Sequence, residues 1–166
     1  MSVIRPARVS DVPAILQMIH ELAAYEKEPD AVKNTPEKLT EALFGENPRV
    51  YAHMAENAAG DVQGFALWFV NYSTWEGVHG IYLEDLYVTP GARGEGHGKA
   101  LLQHLAATAV ERGYARVEWS VLDWNEPSIN FYRSLGAIPM DGWSTFRLTG
   151  EALGAFGSDD KVMARG

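Results

Sequence analysis

Glu84 and Asp85 stand side by side in a stretch that is otherwise Ile81, Tyr82, Leu83, Leu86, Tyr87 and Val88. Carboxylates in an apolar strand cost desolvation, and local rule-breaking of this kind marks functional sites. In a regular strand neighbours face opposite sides, which predicts separate jobs for the two acids. A carboxylate whose pKa is raised by burial can take a proton from an ammonium ion, directly or through a water. Glu84 is assigned that base role and Asp85 a structural or substrate-orienting one. The plainer alternative pairs each acid with a basic neighbour such as Arg5 or Arg147.

Shortly after the acids comes Arg93-Gly94-Glu95-Gly96-His97-Gly98-Lys99, directly ahead of a helical pattern. Glycines let a ligand approach the backbone, successive N–H groups converge in the turn, and the helix dipole adds partial positive charge. An anion, most simply a phosphate, is the expected ligand. A nucleotide-hydrolysing P-loop needs Ser or Thr where Ala100 stands and Gly where Arg93 stands, and a dinucleotide fingerprint needs Gly where Lys99 stands. Both fail, leaving Arg-x-x-Gly-x-Gly at Arg93, Gly96 and Gly98. A third stretch, Trp124-Asn125-Glu126-Pro127-Ser128-Ile129-Asn130-Phe131-Tyr132, opens a helix with a phenol one turn in, and a phenol there can protonate a leaving group.

The elements that must position these groups follow from patterning. Val3 to Arg8 reads as a strand. A helix then starts with Ser10 as its cap and carries Val12, Ile15, Leu16, Ile19, Leu22 and Ala23 at helical spacing. Thr35-Pro36-Glu37 opens a short second helix that Gly45 closes. Residues 49–56, 62–70 and 81–88 read as three strands of an antiparallel meander, since the links are too short for crossover helices. The glycine loop feeds a helix bearing Leu101, Leu102 and Leu105 and stopped by Gly113. Residues 115–122 return as a strand, a helix runs from Asn125 to near Gly136, and 143–148 is a last strand. The sum is an α+β fold, one mixed sheet with helices packed on it.

Composition excludes several classes. The chain of 166 residues fits one domain over residues 1–150, with a tail, 151–166, rich in Gly, Ala, Ser and Asp and expected to be partly disordered. With 46% apolar residues it can build a core. No run is long enough for a membrane span, no secretory pattern opens the chain, and cysteine is absent, so a cytoplasmic protein without thiolate metal sites is expected. A net charge of −8 argues against nucleic acid. It suits a cationic small molecule, or solubility alone. His53, His79 and His97 receive no role beyond packing or solvation.

The Arg-x-x-Gly-x-Gly loop, set directly after Leu83–Val88 and before a long helix, resembles the pyrophosphate-binding loop of the GNAT superfamily of N-acetyltransferases. Asn125, Ser128, Phe131 and Tyr132 match that superfamily's Asn-x-x-(Ala/Ser)-x-x-(Phe/Leu)-Tyr pattern. Together with Tyr82-Leu83-Glu84-Asp85, the run from Trp124 to Tyr132, Ile4-Arg5-Pro6-Ala7, Glu21-Leu22-Ala23 and Tyr25-Glu26, they resemble the spermidine/spermine (diamine) acetyltransferases and their thialysine-acetylating relatives over residues 3–148.

The resemblance implies a mostly antiparallel twisted sheet flanked by helices, acetyl-CoA as acetyl donor, no metal, and a homodimer acting on a primary amine by direct transfer in a ternary complex. It makes Glu84 a water-mediated base and Tyr132 the general acid that protonates the departing thiolate. Leu86, Tyr87 and Val88 would lie along the pantetheine arm, and the amides of Arg93, Gly94, Glu95, Gly96, His97, Gly98 and Lys99 would grip the pyrophosphate. Asn125, Ser128 and Tyr132 would line the coenzyme, while Tyr25, Glu26, Trp75, Glu84, Asp85 and Trp143 surround the amine. The family's polyamine enzymes carry an acid shortly before the Trp of the third-to-fourth-strand loop, where this chain has Ser73-Thr74-Trp75 in a loop one residue longer. That departure counts against spermidine and spermine more than against acetyl transfer. Other acceptors (an amino acid, an aminoglycoside, a protein N-terminus) and a coenzyme-A-binding regulatory module are the competing readings.

Overall fold

The alternating segments of the first half pair in sequence order. In the computed structural model, which describes residues 1–158, β1 (Val3–Pro6), β2 (Tyr51–Glu56), β3 (Val62–Ser73), β4 (Val78–Val88) and β5 (Val117–Glu118) form one sheet in the order β1-β2-β3-β4-β5. The first three pairings are antiparallel, as the short links require, and β4–β5 is parallel. The helices are α1 (Val12–Tyr25), α2 (Pro36–Phe44), α3 (His97–Arg112), α4 (Glu126–Ser134) and α5 (Gly150–Gly157). The chain divides into two compact units, Met1–Trp124 and Asn125–Gly166.

In the first unit the sheet is covered on both faces. Phe65 and Leu67 of β3 and Tyr87 of β4 pack with Val12, Ile15 and Met18 of α1 and Leu39 and Leu43 of α2. Burial of each such large side chain contributes about 1.5–3 kcal/mol. Ala66 and Trp68 alternate with that set and face the other side, where α3, with Leu101 and Leu105 fully buried, packs on β2, β3 and β4.

The helix starts obey the capping rules, with one correction. Thr35 Oγ1 accepts from the Lys38 N–H at 3.2 Å and Pro36 takes the first helical position, as expected. The cap of α1 is Asp11 rather than Ser10. A short 3-10 turn over Val9–Asp11 precedes the helix, and the Asp11 carboxylate accepts from the Arg8 N–H at 2.7 Å and from Arg5 at 2.7 and 3.0 Å. The Arg5 guanidinium also reaches Glu56 at 3.2 Å and holds the Asp11 carboxyl below the usual range. Arg5 is therefore committed to Asp11 and Glu56.

Strand lengths differ where pairing, not propensity, decides. The expected strand over 115–122 shrinks to Val117–Glu118, the only residues of it that pair with β4. In the second unit, 143–148 forms no strand among the described residues. Its alternation supplies strand-like side chains, but a strand needs a hydrogen-bonded partner, and within this unit none is formed; Phe146 is 94% exposed. The Asn125 side chain accepts from the Ser128 N–H at 3.4 Å to open α4, and Gly136, at φ +90°, turns the chain after it. α5 occupies the first half of the expected tail, and 159–166 lie outside the described residues.

Candidate active site

The two carboxylates sit on a break in the β3–β4 ladder. Leu67 faces Asp85 while the next residue, Trp68, faces Leu83, so Glu84 is an extra residue with no partner on β3. Such a bulge resets the alternation of the strand that carries it. Leu83 falls on the α3 side with Trp68, and Asp85 on the α1–α2 side with Leu67 and Phe65. Leu83 and Asp85, two apart, would share a face in an unbroken strand and here lie on opposite ones. The charge of Glu84 reaches Asp85 and, after burial itself, is the next cause pushing the Asp85 carboxyl up to about 6; Glu26 adds to it. Burial also raises Glu26. Of the neighbouring pair Asp85 is the desolvated acid and Glu84 is exposed, so burial selects Asp85 rather than the proposed base.

Past the bulge β4 gains a free edge. β5 pairs with β4 only at Ile81 and Tyr82, so over Asp85–Val88 the backbone groups on the side away from β3 meet no strand among the described residues. Leu86, Tyr87 and Val88 lie on this segment and lead into the glycine loop. A 3-10 turn over Pro90–Ala92 is anchored by the buried Ala92 methyl. Arg93 folds back, its Nε–H donating to the Val88 carbonyl at 3.2 Å. Its guanidinium lies 5.4 Å from the Tyr25 ring centroid and 5.6 Å from that of Tyr87.

The loop then takes the backbone shape that only glycine adopts easily. Gly94 and Gly96 have φ of +87° and +88°, in the left-handed region. Nothing lies within 4 Å of where a Cβ would sit on either, so the space beside both is open. Gly96 caps α3, whose first ladder bond runs from the Ala100 N–H to the Gly96 carbonyl. The N–H groups of Gly96, His97, Gly98 and Lys99 precede it and carry the unsatisfied positive end of the helix. The backbone here fits an anion. The His97 side chain turns inward: its ring is 1% exposed, 2.7 Å from Ser2 Oγ and 3.1 Å from a Glu95 carboxylate oxygen.

Tyr25 and Glu26, at the end of α1, join this assembly through Arg93 and Asp85. Two residues missed in the sequence join it as well. Trp124 lies 5.9 Å from the Tyr25 ring, and the Lys27 ammonium stands 4.3 Å over Trp124, reached by a backbone at φ +66°. Trp124 lay within the motif that opens α4; Lys27 carries no sequence signal. Trp75 is not brought to the acids. It sits at the β3–β4 turn, 87% exposed, and the six steps from Val78 to Glu84 span about 20 Å of strand. Ser73, buried, spends its hydroxyl oxygen accepting from the Glu76 N–H at 3.1 Å within that turn.

In the second unit Asn125 is buried, Ser128 lies on the first turn of α4 and Tyr132 follows one turn later, its ring 5.6 Å from Phe131. Trp143 is 69% exposed in the irregular segment after α4. Of the remaining histidines, His53 accepts from the Trp68 indole N–H at 3.0 Å. Burial, helped by His104 and Arg112, lowers it to about 4, so it is a neutral packing residue. His79 contacts the Asn71 carbonyl at 3.1 Å. Among the described residues no group of three His, Asp or Glu side chains could hold a metal, and no helix is long and apolar enough to cross a membrane.

Comparison with known proteins meets this geometry. The acetyltransferase (GNAT) family model matches residues 15–137. A thialysine N-epsilon-acetyltransferase from Sus scrofa is 42% identical over 90% of this chain and 94% of its own length. An L-ornithine N5-acetyltransferase from Arabidopsis thaliana is 38% identical over 78% of this chain and 49% of its own length. Among solved structures, an integron cassette protein from the mobile metagenome of V. cholerae superposes with a TM-score of 0.78 at 25% identity, covering 95% of this chain and 98% of that one.

Proposed function

The chain belongs to the GNAT acetyltransferase family, and from that premise we propose that it moves the acetyl group of acetyl-CoA to a primary amine of a small molecule of the polyamine, diamine or lysine-analogue type. The observation that carries this reading is the row of amides from Gly96 to Lys99 at the start of α3, beside the open space over Gly94 and Gly96. They offer convergent donors and a helix dipole to a pyrophosphate. The free edge of β4 over Leu86, Tyr87 and Val88 offers backbone groups to the pantetheine arm. Asn125 and Ser128 would lie along the coenzyme.

The reaction is direct attack in a ternary complex. The ammonium of the acceptor gives its proton to Glu84 through a water, and the freed nitrogen lone pair attacks the thioester carbonyl carbon. The tetrahedral adduct collapses, the C–S bond breaks and the sulfur takes the Tyr132 proton; the surplus proton on the acylated nitrogen passes through water to the Tyr132 phenolate, leaving a neutral N-acetyl amide, the coenzyme thiol and a protonated Glu84 that returns its proton to solvent. Tyr25, Glu26 and Asp85 supply the aromatic and acidic wall that attracts the ammonium. The relatives' names, thialysine and L-ornithine acetyltransferases, agree with an amino-acid-like acceptor. So does Ser73, which adds no charge for a distant ammonium. A homodimer in the cytoplasm completes the reading.

Thiol release from acetyl-CoA over an acceptor panel tests it. Thialysine, ornithine and short diamines should give kcat/KM at least about tenfold above spermine. Release with aminoglycosides alone would move the enzyme to a different acceptor class, and release with nothing would leave a coenzyme-binding module. The loop has its own test. In Gly96→Val a β-branched residue must adopt φ near +88°, a conformation costing about 1–2 kcal/mol even without branching. The KM for acetyl-CoA should rise about tenfold, with a fall of a few degrees in Tm; an unchanged KM removes the loop from coenzyme binding.

A further inference from the structure

Glu95 is a carboxylate placed inside a loop whose amides are arranged for an anion, and like charge there should weaken binding. The structure also shows where that carboxylate is held. Glu95 Oε2 lies 3.1 Å from His97 Nε2, and the other ring nitrogen, Nδ1, lies 2.7 Å from Ser2 Oγ. A carboxylate only accepts, so Nε2 must carry the proton that donates to Glu95. Nδ1 and the Ser2 hydroxyl share the second contact, which either can donate. The imidazole is 1% exposed while the Glu95 side chain is 56% exposed, so the fixed partner is the histidine and the restrained one is the acid.

Ser2 precedes β1, whereas His97 is the first residue of α3, so the ring is pinned by two segments 95 positions apart. We propose that His97 is a positioning residue for acetyl-CoA binding: its buried ring draws the Glu95 carboxylate back from the amides of Gly96 to Lys99 and so removes a repulsion from the coenzyme phosphates. The proposal rests on the coenzyme reading above. It concerns side chains, whereas that reading used only the backbone of this loop. It also accounts for a polar ring in a fully buried place where an apolar residue would pack at lower desolvation cost.

The test is a double-mutant cycle read by calorimetric Kd for coenzyme A and by KM for acetyl-CoA. His97→Leu keeps the buried volume and removes both nitrogens, so Glu95 is released. Kd and KM should rise about fivefold to tenfold, with kcat within about twofold of native and the increase shrinking at 0.5 M salt. Adding Glu95→Gln to His97→Leu should return both constants to within about twofold of native. A His97→Leu chain with native Kd, or a double variant as weak as the single one, overturns the proposal; the second result would mean that the ring only supports the fold. Should His97→Leu fail to fold, Glu95→Gln in the native background decides: a Kd about twofold tighter fits a withdrawn carboxylate, and one tenfold tighter shows that it was never withdrawn. A native chain that binds no coenzyme A at all refutes the coenzyme reading instead, and the two failures are thereby told apart.

Discussion

Glu84→Gln should lower kcat/KM for the amine about 100-fold at pH 8, whereas Asp85→Asn should cost about tenfold and remove one limb of the pH profile. The first figure is the lower end of what a positioned proton acceptor contributes. The second follows from charge. Asp85 is pushed up to about 6 by burial and by Glu84 and Glu26. Below that pH its carboxyl is neutral; above it the charge appears and draws the ammonium in. A tenfold effect corresponds to about 1.4 kcal/mol of such attraction. The native enzyme should therefore gain activity as pH rises through about 6, and Asp85→Asn should lose that limb while keeping a lower plateau. If Asp85→Asn is the variant that falls 100-fold and Glu84→Gln is the mild one, the base is the buried acid.

The same substitution should move stability the other way. The folded Asp85 holds its proton more tightly than the unfolded chain, whose carboxyl titrates near its ordinary value of 3.8. The folded state then binds more protons between about pH 4 and 6, and stability falls as pH rises across that window. Asp85→Asn should raise Tm at pH 8 and leave it nearly unchanged at pH 3.5, as thermal unfolding at the two pH values will show. Reduced activity with raised Tm is the signature of an acid kept for function rather than for folding.

The anion loop can be read from the sequence because its chemistry is local. Only glycine takes φ near +88° without strain, and the four amides of a helix start need no tertiary partner to be unsatisfied. The acids are legible as residues but not as a geometry. Alternation would put Leu83 and Asp85 on one face, and nothing in Leu83-Glu84-Asp85-Leu86 signals that Glu84 drops out of the ladder, because a bulge is decided by both strands. Pairing likewise decides 115–122 and 143–148, whose side chains suit strands but whose ladders are short or lacking among the described residues. Lys27, Trp124 and the inward turn of His97 depend on contacts between segments far apart in sequence, which no periodicity records.

Tyr132→Phe should reduce kcat and kcat/KM together, by about 30- to 100-fold, with the KM for acetyl-CoA held within about twofold. The phenyl ring keeps the packing against Phe131 and the place on α4, so only the hydroxyl is lost. An ordinary phenol is a weaker acid than an ordinary thiol, about 10 against about 8.5, so full proton transfer to a departed thiolate would run uphill. The hydroxyl earns its effect earlier, as sulfur charge builds while the C–S bond breaks, which places the loss in kcat rather than in binding. That also makes the effect smaller than the loss of Glu84, without which the acceptor nitrogen keeps its proton and has no lone pair to attack with. Stopped-flow release of the coenzyme thiol, with Tm as a check on folding, separates the cases. A native kcat in Tyr132→Phe would take the acid role from Tyr132 and leave the thiolate to be protonated by solvent, while a raised KM with native kcat would make the phenol a binding group.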